Sequence, residues 1–441
     1  MEHMAAHEPH RPAFRGPLHL PGEAAYDAHR ATWSGSIDPR PAVVAEASTP
    51  SDVRAAVLIA REHGLPFAVQ ATGHGTHVPA DGGLLLKTSA MAEVLVDPDR
   101  RIARVGPGAL WGDVIAAAAP CGLAPVTGSS PSVGVVGFTL GGGVGWLSRK
   151  LGFAADNLLR ADVVTADGQL LRASATEHPD LFWALRGGGG NFGVVTALEL
   201  RLHPVSRVYA GTATFPIARA AEILARYRAW APHMPEELTT TLVLTRDALS
   251  LRAAYLGDAR AAERALRPLF EAAGPPLTSD LRAMGYPETA SLGGTPPRQF
   301  ELFADLPDAV IAAAVDATGR ANAVELRHWG GAMRRGAGPV GHRDVPFSIT
   351  VDGDPEEPLA RHATGGSFLN FLKDPARTHT AYTASDHRRL REVKRAYDPH
   401  NRFATCLNIP PATAARLPVG PGDLDGVLGR RVARDDVLGA V

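Results

Sequence analysis

The stretch TGSSPSVGVVGFTLGGGVGWLSRKLG, residues 127–152, decides how this chain is interpreted. It alternates glycines with apolar residues such as Val135, Val136 and Leu140. Glycine clusters leave backbone N–H groups free to approach a ligand closely. The apolar residues between the glycines favour a buried loop over a flexible surface turn.

Further glycine clusters lie on either side of this stretch. VQATGHGTHVPADGG (69–83) precedes it, and LRGGGGNFG (185–193) follows it. A pyrophosphate needs many donors at short range, which loops near 71–76, 128–134 and 140–145 would supply. A single cluster is more often a flexible turn, and GGGVG is not the G-x-G-x-x-G of a Rossmann turn. Several clusters within one region together predict a phosphate-bearing ligand.

Bulk composition excludes several classes of protein. The 441 residues suffice for two or three domains, and the net charge of -1 indicates no nucleic-acid or membrane partner. Cys121 and Cys406 are the two cysteines, so a reducing, cytoplasmic location is expected. The N-terminus lacks the apolar segment of a secretory signal, and no apolar run approaches the roughly 20 residues of a membrane span.

Local signals predict the secondary structure around the first glycine loop. Residues 42–48 read as a strand, and Thr49 is the expected N-cap of a helix that Gly64 ends. Residues 66–71 read as a second strand that runs into the loop. ADVVTADGQLLRA (161–173) predicts a hairpin with an Asp-Gly turn.

The pattern changes after residue 205. Amphipathic helices are predicted at 218–230 and over DARAAERALRPLFEAAG, with strands at TTTLVLT, LSLRAAYLG, PPRQFELFADL and ANAVELRHWGGAM. This alternation predicts a separate unit, a sheet with helices on one side.

The glycine-rich motifs also match a family. Residues 127–168, the stretch LFWALRGGGGNFGVVT and the C-terminal REVKRAYDPHNRFATCLNIPP closely resemble the berberine-bridge-enzyme-like branch of the vanillyl-alcohol-oxidase flavoproteins, which have a PCMH-type FAD-binding domain. The resemblance extends from about Trp33 to Pro411. It implies an α+β fold with a two-part FAD-binding domain, an inserted substrate domain and a C-terminal segment that returns to the FAD domain. The implied divisions are 1–37 (N-terminal segment), 38–205 (FAD), 206–365 (substrate), 366–412 (return) and 413–441 (tail).

The resemblance implies FAD bound covalently through His74, between Gly73 and Gly75. Many relatives add a second bond from a cysteine at the position of Ser130, and a serine hydroxyl cannot form that thioether. We therefore expect one covalent bond only. The positions implied to bind the cofactor are His74, Thr72, Gly73, Gly75, Thr76, Gly128, Ser130, Pro131, Gly134, Gly137, Gly141, Gly142, Gly143, Asn157, Val194 and Asn408.

Oxidation of an alcohol needs a base. The tyrosine positions of the family's Tyr-x-Asn motif are Phe368 and Phe371 here, although Asn370 is retained. Glu325 is the best remaining candidate base, because it alternates with Val324 and Leu326 on the opposite face of a strand. A solvated Glu325–Arg327 ion pair is the equally weighted alternative. The candidate catalytic residues are Glu325, Tyr382 and Asn370, with His328 as a fallback, and the candidate pocket residues are Phe300, Arg327, Trp329 and Phe368.

These observations favour an oxidase of a hydrophobic natural-product-type substrate, with hydride transfer to the flavin, oxygen as the acceptor and possible oxidative cyclisation. A carbohydrate or hydroxy-acid oxidase, an oxygenase, a redox-neutral cyclase and a flavin-binding scaffold stay open. A small-molecule substrate, no metal and a monomer or homodimer are expected. His77 is read as a polar loop residue near the flavin, since a structural zinc site needs about four ligands.

Overall fold

The computed structural model describes residues 13–33 and 35–413, so the predicted tail lies outside the described residues from position 414 onward. Within these residues no helix has the length and apolar character to cross a membrane. The elements of the N-terminal half are β1 (Leu18–His19), α1 (Tyr26–Arg30), β2 (Val43–Glu46), α2 (Pro50–Glu62), β3 (Phe67–Gln70), β4 (Leu84–Lys87), β5 (Val94–Asp97), β6 (Ile102–Val105), α3 (Trp111–Ala118), α4 (Val135–Leu140), α5 (Ser148–Leu151), β7 (Leu158–Val164), β8 (Leu170–Ser174), α6 (Pro179–Leu185) and β9 (Val194–Arg201).

The predicted β-α-β beginning is confirmed. Thr49 caps α2 by accepting from the Asp52 backbone N–H, while the Asp52 carboxylate accepts from the Thr49 N–H at 3.0 Å. The helix stops at Glu62, and Gly64 adopts a left-handed φ of 64° just beyond it. Strands β2, β4 and β3 pair in parallel, with β1 antiparallel at the edge. The loop after β3 therefore emerges at the carboxyl end of this sheet.

A second, antiparallel sheet follows with the order β5-β6-β9-β7-β8. The predicted Asp-Gly hairpin is its β7–β8 pair. The sequence analysis did not predict strand β5, a four-residue edge strand that pairs with β6. The glycine-rich residues 127–152 pass between this sheet and the next one as the short helices α4 and α5.

The second half contains the large sheet. Its elements are β10 (Arg207–Pro216), α7 (Ala220–Trp230), β11 (Leu238–Leu244), β12 (Ala248–Tyr255), α8 (Ala259–Ala273), β13 (Thr278–Ser279), β14 (Arg282–Gly285), β15 (Gln299–Phe303), α9 (Asp308–Ala317), β16 (Ala323–His328), β17 (Phe347–Asp352) and α10 (Glu357–Ala360). The sheet runs β13-β10-β12-β11-β16-β17-β15, with β14 also paired to β10, and every pairing is antiparallel.

One face of this sheet is covered by helices, as predicted. Leu242, Leu251, Val324, Leu326 and Ile349 pack beneath α7, α8 and α9 in a single core. Because side chains alternate along a strand, residues 325 and 327 lie on the other face. That face is turned toward the glycine-rich loops.

The C-terminal segment returns to the first half through α11 (Ala384–Tyr397). Lys394 of this helix is fully buried, and its Nζ donates to Asp398 Oδ2 and to the Asn191 carbonyl, both at 2.7 Å. Asp398 in turn accepts from the Arg402 and Phe403 N–H groups. This buried ion pair fixes residues 398–409 against the glycine-rich turn at 187–190. The domain boundaries themselves stay a prediction.

Candidate active site

A cleft of about 590 Å³ separates the glycine-rich loops from the helix-free face of the large sheet. This volume is within the range of small-molecule and cofactor pockets. The loops contribute residues 69–78, 128–146 and 189–195, the large sheet contributes Thr239, Glu325, Arg327 and Thr350, and the return segment contributes 369–371 and 405–407. The three parts of the chain that carry the motifs thus meet in one place.

His74 lies on the wall of this cleft. Its Nδ1 is 2.9 Å from Thr72 Oγ1, while its Nε2 is buried without a hydrogen-bond partner among the described residues. The ring stacks on Trp33 with centroids 4.3 Å apart and planes 20° from parallel. Burial lowers the pKa of His74, which favours the neutral imidazole. The ring is therefore held by two neighbours and leaves one nitrogen free.

The glycines on either side of His74 have different roles. Gly73 has a left-handed φ of 77°, and a Cβ there would lie 2.9 Å from Gln70 Nε2 and 3.1 Å from the Trp33 nitrogen. Gln70 cannot move aside freely, because the same Nε2 donates to the Ala31 carbonyl at 2.7 Å. At Gly75 a Cβ would meet nothing within 4 Å. Only Gly73 is required by the protein itself.

A glycine inside α4 tests whether a large ligand fits here. Gly137 lines the cleft, yet a Cβ there would meet no atom within 4 Å outside its own helix. Glycine costs about 1 kcal/mol in a helix interior, and no neighbouring atom of the protein accounts for it here. Close approach of a ligand is the remaining reason. Together with the unpartnered Nε2 of His74, this open surface fits the FAD that the resemblance implies.

Most of the positions implied to contact FAD line the cleft: Thr72, Gly73, His74, Gly75, Thr76, Gly128, Ser130, Gly134, Gly137, Gly141 and Val194. The other five, which are Asn157, Pro131, Gly142, Gly143 and Asn408, do not line it, and their assignment stays a prediction. The Asn157 side-chain Nδ2 donates to the Leu151 and Phe153 carbonyls, and its Oδ1 is hydrogen-bonded to His203 Nε2. The Pro131 carbonyl accepts a hydrogen bond from the Gly112 backbone N–H.

Gly142 and Gly143 form a left-handed turn with φ of 113° and 72°. Their missing side chains make room for Phe368 and Phe138, not for a ligand. Asn408 follows the cleft residue Leu407, and its Oδ1 is buried without a partner among the described residues, so its assignment stays a prediction.

Glu325 and Arg327 both line the cleft, and they also form an ion pair. Arg327 Nη2 donates to Glu325 Oε1 at 2.8 Å, and the Thr295 N–H donates to Glu325 Oε2 at 3.3 Å. Glu325 is 4% exposed. The two sequence-based alternatives are therefore combined: the ion pair exists, but it lies in the cleft and not on a solvated face. Contacts on both of its oxygens orient the Glu325 carboxylate.

Tyr382 and Asn370 both have structural contacts, and their catalytic assignment stays a prediction. The Tyr382 hydroxyl donates to the Gly187 carbonyl at 3.2 Å inside the core, away from the lining of the cleft. Burial raises the pKa of this phenol, so it is a poor source of tyrosinate. Asn370 lines the cleft, but its amide accepts from Gly143 and donates to the Phe138 carbonyl. It holds the glycine turn in place.

The aromatic residues form two layers. Phe371 lines the cleft, whereas Phe300, Trp329 and Phe368 form a buried cluster behind it. Phe368 stacks on Phe153 with centroids 5.5 Å apart. These three residues support the wall that Phe371 exposes, and their assignment to the substrate pocket stays a prediction. His328 faces away from the cleft, and burial beside Arg149 lowers its pKa to about 3.

The cysteines differ in their relation to the site. Cys121 is exposed, and Cys406 lines the cleft. Burial raises the pKa of the Cys406 thiol to about 11, and Sγ lies 3.5 Å from Asn191 Oδ1 and 3.4 Å from the Phe403 carbonyl, either of which can accept its one hydrogen. A thiol held protonated is a weak nucleophile. At the Ser130 position the hydroxyl lies 3.0 Å from Ser132 Oγ.

Asn191 was not singled out from the sequence. It is fully buried, its amide donates to the Gly188 and Leu407 carbonyls, and its Oδ1 accepts from the Ile409 N–H at 2.8 Å. Asn191 thus joins the four-glycine turn to the return segment. Its place directly after that turn is the only signal that the sequence offers.

His77 lines the cleft, and burial and then Lys373 lower its pKa. A separate group of His19, His29 and Glu46 has ligand-type atoms within 4.8 Å of one another, outside the cleft lining. The 2.6 Å contact between His19 Nε2 and Glu46 Oε1 is a hydrogen bond. The absence of a metal stays a prediction.

Comparisons with known proteins agree with this geometry. Residues 41–174 match the family model "FAD binding domain", and residues 367–410 match "Berberine and berberine like". The chain is 30% identical to (R)-6-hydroxynicotine oxidase of Paenarthrobacter nicotinovorans over 90% of its own length and 97% of the relative's.

Among solved structures, 6-hydroxy-D-nicotine oxidase from Arthrobacter nicotinovorans superposes with a TM-score of 0.81 at 28% identity, covering 91% of this chain and 99% of that one. A xylooligosaccharide oxidase from Myceliophthora thermophila, solved with xylobiose, gives 0.80 at 25% identity, covering 90% and 98%. The similarity in fold therefore extends over nearly the whole chain.

Proposed function

The chain belongs to the berberine-bridge-enzyme-like FAD-linked oxidoreductases of the PCMH-type superfamily, and from this premise we propose its attachment chemistry and substrate class. It is an FAD-dependent oxidase. Its FAD is bound by a single covalent bond, to His74. Its substrate is a small molecule with an apolar body, of the natural-product type, and oxygen is the final acceptor.

The observation that carries this proposal is the free Nε2 of His74 on the cleft wall. Thr72 occupies Nδ1 and Trp33 covers one face of the ring, so Nε2 is the atom left for a ligand. No thiol lies at position 130, and the Cys406 thiol is held protonated, which supports one covalent bond instead of two.

Acid precipitation tests the attachment directly. Wild-type protein should give a yellow pellet, and His74→Ala should give a colourless pellet with all flavin in the supernatant. His77→Ala is the matched control, because His77 lines the same cleft three residues later, and its pellet should stay yellow. A colourless wild-type pellet, or a yellow His74→Ala pellet, refutes the covalent bond.

Bound FAD supplies a two-electron oxidant that takes a hydride from the substrate carbon. The protein supplies the proton acceptor and the orientation. Glu325 receives the substrate's O–H or N–H proton at a carboxylate oxygen, and Arg327 and the Thr295 N–H hold that carboxylate in position. Phe371 and the prolines Pro296 and Pro297 line the cleft with apolar surface, which excludes water from the reacting carbon.

A carbohydrate substrate is the second candidate, favoured by the hydroxyls of Thr239 and Thr350 on the sheet side of the cleft. Anaerobic mixing separates the two: the aromatic alcohol 4-(hydroxymethyl)benzoate represents the apolar class and xylobiose the carbohydrate class. Bleaching of the flavin absorbance by the former alone supports the leading proposal, and bleaching by xylobiose alone overturns it. Peroxide release in air, measured with the probe that bleaches, distinguishes oxidation by oxygen from a redox-neutral cyclisation or an oxygenation.

A further inference from the structure

A row of polar side chains crosses the cleft face of the large sheet. Arg252 on β12, Thr241 on β11 and Arg327 on β16 lie directly opposite one another on three adjacent strands. Directly paired residues share a face, so all three are on the side of Glu325 and not on the side of the helices. The outer two positions are about 10 Å apart across two strand spacings, which long arginine side chains bridge.

Each member of this row has a polar atom without a partner. Within residues 13–33 and 35–413, Arg252 Nη1, Thr241 Oγ1 and Arg327 Nε are buried and find no hydrogen-bond acceptor or donor. Such an atom costs about 1–3 kcal/mol, and more when the group is charged. Three of them at neighbouring positions indicate a place that a polar group of a ligand fills.

The charge of the row identifies the ligand chemistry. Arg252 and Arg327 carry two positive charges, and the Glu325 carboxylate acts electrostatically on Arg252. Glu325 already accepts from Arg327 Nη2, so one positive charge is left uncompensated. Buried charges are normally paired, and an arginine fork matches the two oxygens of a carboxylate.

We propose that the substrate carries a carboxylate, which Arg252 and Arg327 bind with the Thr241 hydroxyl. This inference rests on the proposed function, since it assigns a substrate class to the same cleft. Arg327 and Thr239 line the cleft, whereas Thr241 and Arg252 lie beside them on the same face of the sheet, just beyond the lining. The carboxylate therefore enters on the sheet side, and the apolar body of the substrate packs against Phe371.

Calorimetric titration of the holoenzyme with trans-cinnamate and cinnamamide tests this proposal. The two probes share shape and apolar area and differ in charge. Cinnamate should bind at least about tenfold more tightly, because a hydrogen bond to a charged group contributes about 1.5–3 kcal/mol. Arg252→Gln should abolish that preference by weakening cinnamate alone, whereas Arg252→Lys should keep part of it. Glu325→Gln should tighten cinnamate, because Arg327 is released from its ion pair.

Arg298→Gln is the matched control. Arg298 follows the cleft residue Pro297, is largely exposed and pairs with Asp352 outside the row. It should leave both affinities unchanged. Equal binding of the two probes, an unchanged preference in Arg252→Gln, or weaker cinnamate binding by Glu325→Gln overturns the proposal.

The same preparations are scored for acid-stable flavin. Loss of that flavin with an intact cinnamate preference refutes the covalent attachment alone. Yellow protein without the preference refutes the carboxylate site alone. If Arg252→Gln does not fold, Arg252→Lys and Glu325→Gln still test the proposal. The preference for cinnamate over cinnamamide should fall in Arg252→Lys and rise in Glu325→Gln.

Discussion

Replacing Gly73 by alanine should disturb the His74 loop, whereas the same change at Gly75 should not. At Gly73 the left-handed φ of 77° costs an L-residue about 1–2 kcal/mol. The added Cβ would lie 3.1 Å from the Trp33 nitrogen and 2.9 Å from the anchored Gln70 amide, so the loop cannot relax at no cost. We take about 2 kcal/mol as the total, which lowers the population of the competent loop about thirtyfold. Gly75 has neither constraint.

The assay is the rate at which acid-stable flavin accumulates when FAD is added to purified, flavin-free chain. Gly73→Ala should slow this rate about thirtyfold, and Gly75→Ala should match the wild type. Chemical denaturation gives a second readout that does not depend on the flavin: about 1–2 kcal/mol of lost stability is expected for Gly73→Ala only. Equal rates for the wild type and Gly73→Ala, or equal impairment of both variants, would refute the reasoning from backbone conformation.

Three further predictions concern charged groups. Glu325→Gln should lower turnover by roughly 10²–10⁴-fold while the acid-stable flavin stays intact. Glu301→Gln is the control, because this carboxyl is buried on the helix-covered face, and it should keep turnover near normal. Stopped-flow measurement of flavin reduction tests both variants. Lys394→Met should lower the free energy of unfolding in denaturant by about 3–5 kcal/mol, because it leaves the buried Asp398 carboxylate unpaired. Lys150→Met breaks an ion pair of similar length that is much more exposed, so it should cost at most about 1 kcal/mol. Similar losses in the two variants would contradict the role of burial. His328 is neutral in the folded protein, with a pKa of about 3, so its side chain in the unfolded chain takes up a proton first as the pH falls below about 6.5. This group should therefore lower the free energy of unfolding by about 1.4 kcal/mol per pH unit between pH 6.5 and pH 3. His328→Asn should reduce the measured slope of stability against pH by that amount.

Local sequence signals predicted the parts of the fold that depend on interactions between residues close together in the chain. The Thr49 cap and Gly64 stop of α2, the Asp-Gly hairpin and the alternation of Val324 and Leu326 each act within a few residues. These predictions are confirmed by the secondary structure, because capping, turn formation and pleat depend on neighbours in the chain.

Only the tertiary structure decided which side chains reach the cleft. Phe368 and Phe371 are three residues apart and equally apolar, yet Phe368 is buried behind the wall and Phe371 forms it. Tyr382 faces the Gly187 carbonyl instead of a substrate. Nothing within a few residues of either position distinguishes these outcomes, because they depend on how the return segment packs on the turn that Asn191 and Lys394 fix.

The row of polar side chains on the cleft face of the large sheet likewise depends on tertiary structure. Arg252, Thr241 and Arg327 are separated by up to 86 positions in the chain, and strand pairing alone brings them side by side. The sequence by itself determined the family and the cofactor, and it predicted the histidine that binds the cofactor. The register of the large antiparallel sheet decided which charges meet across the cleft, because pairing between distant strands is set by the packing of the whole domain and not by any local pattern.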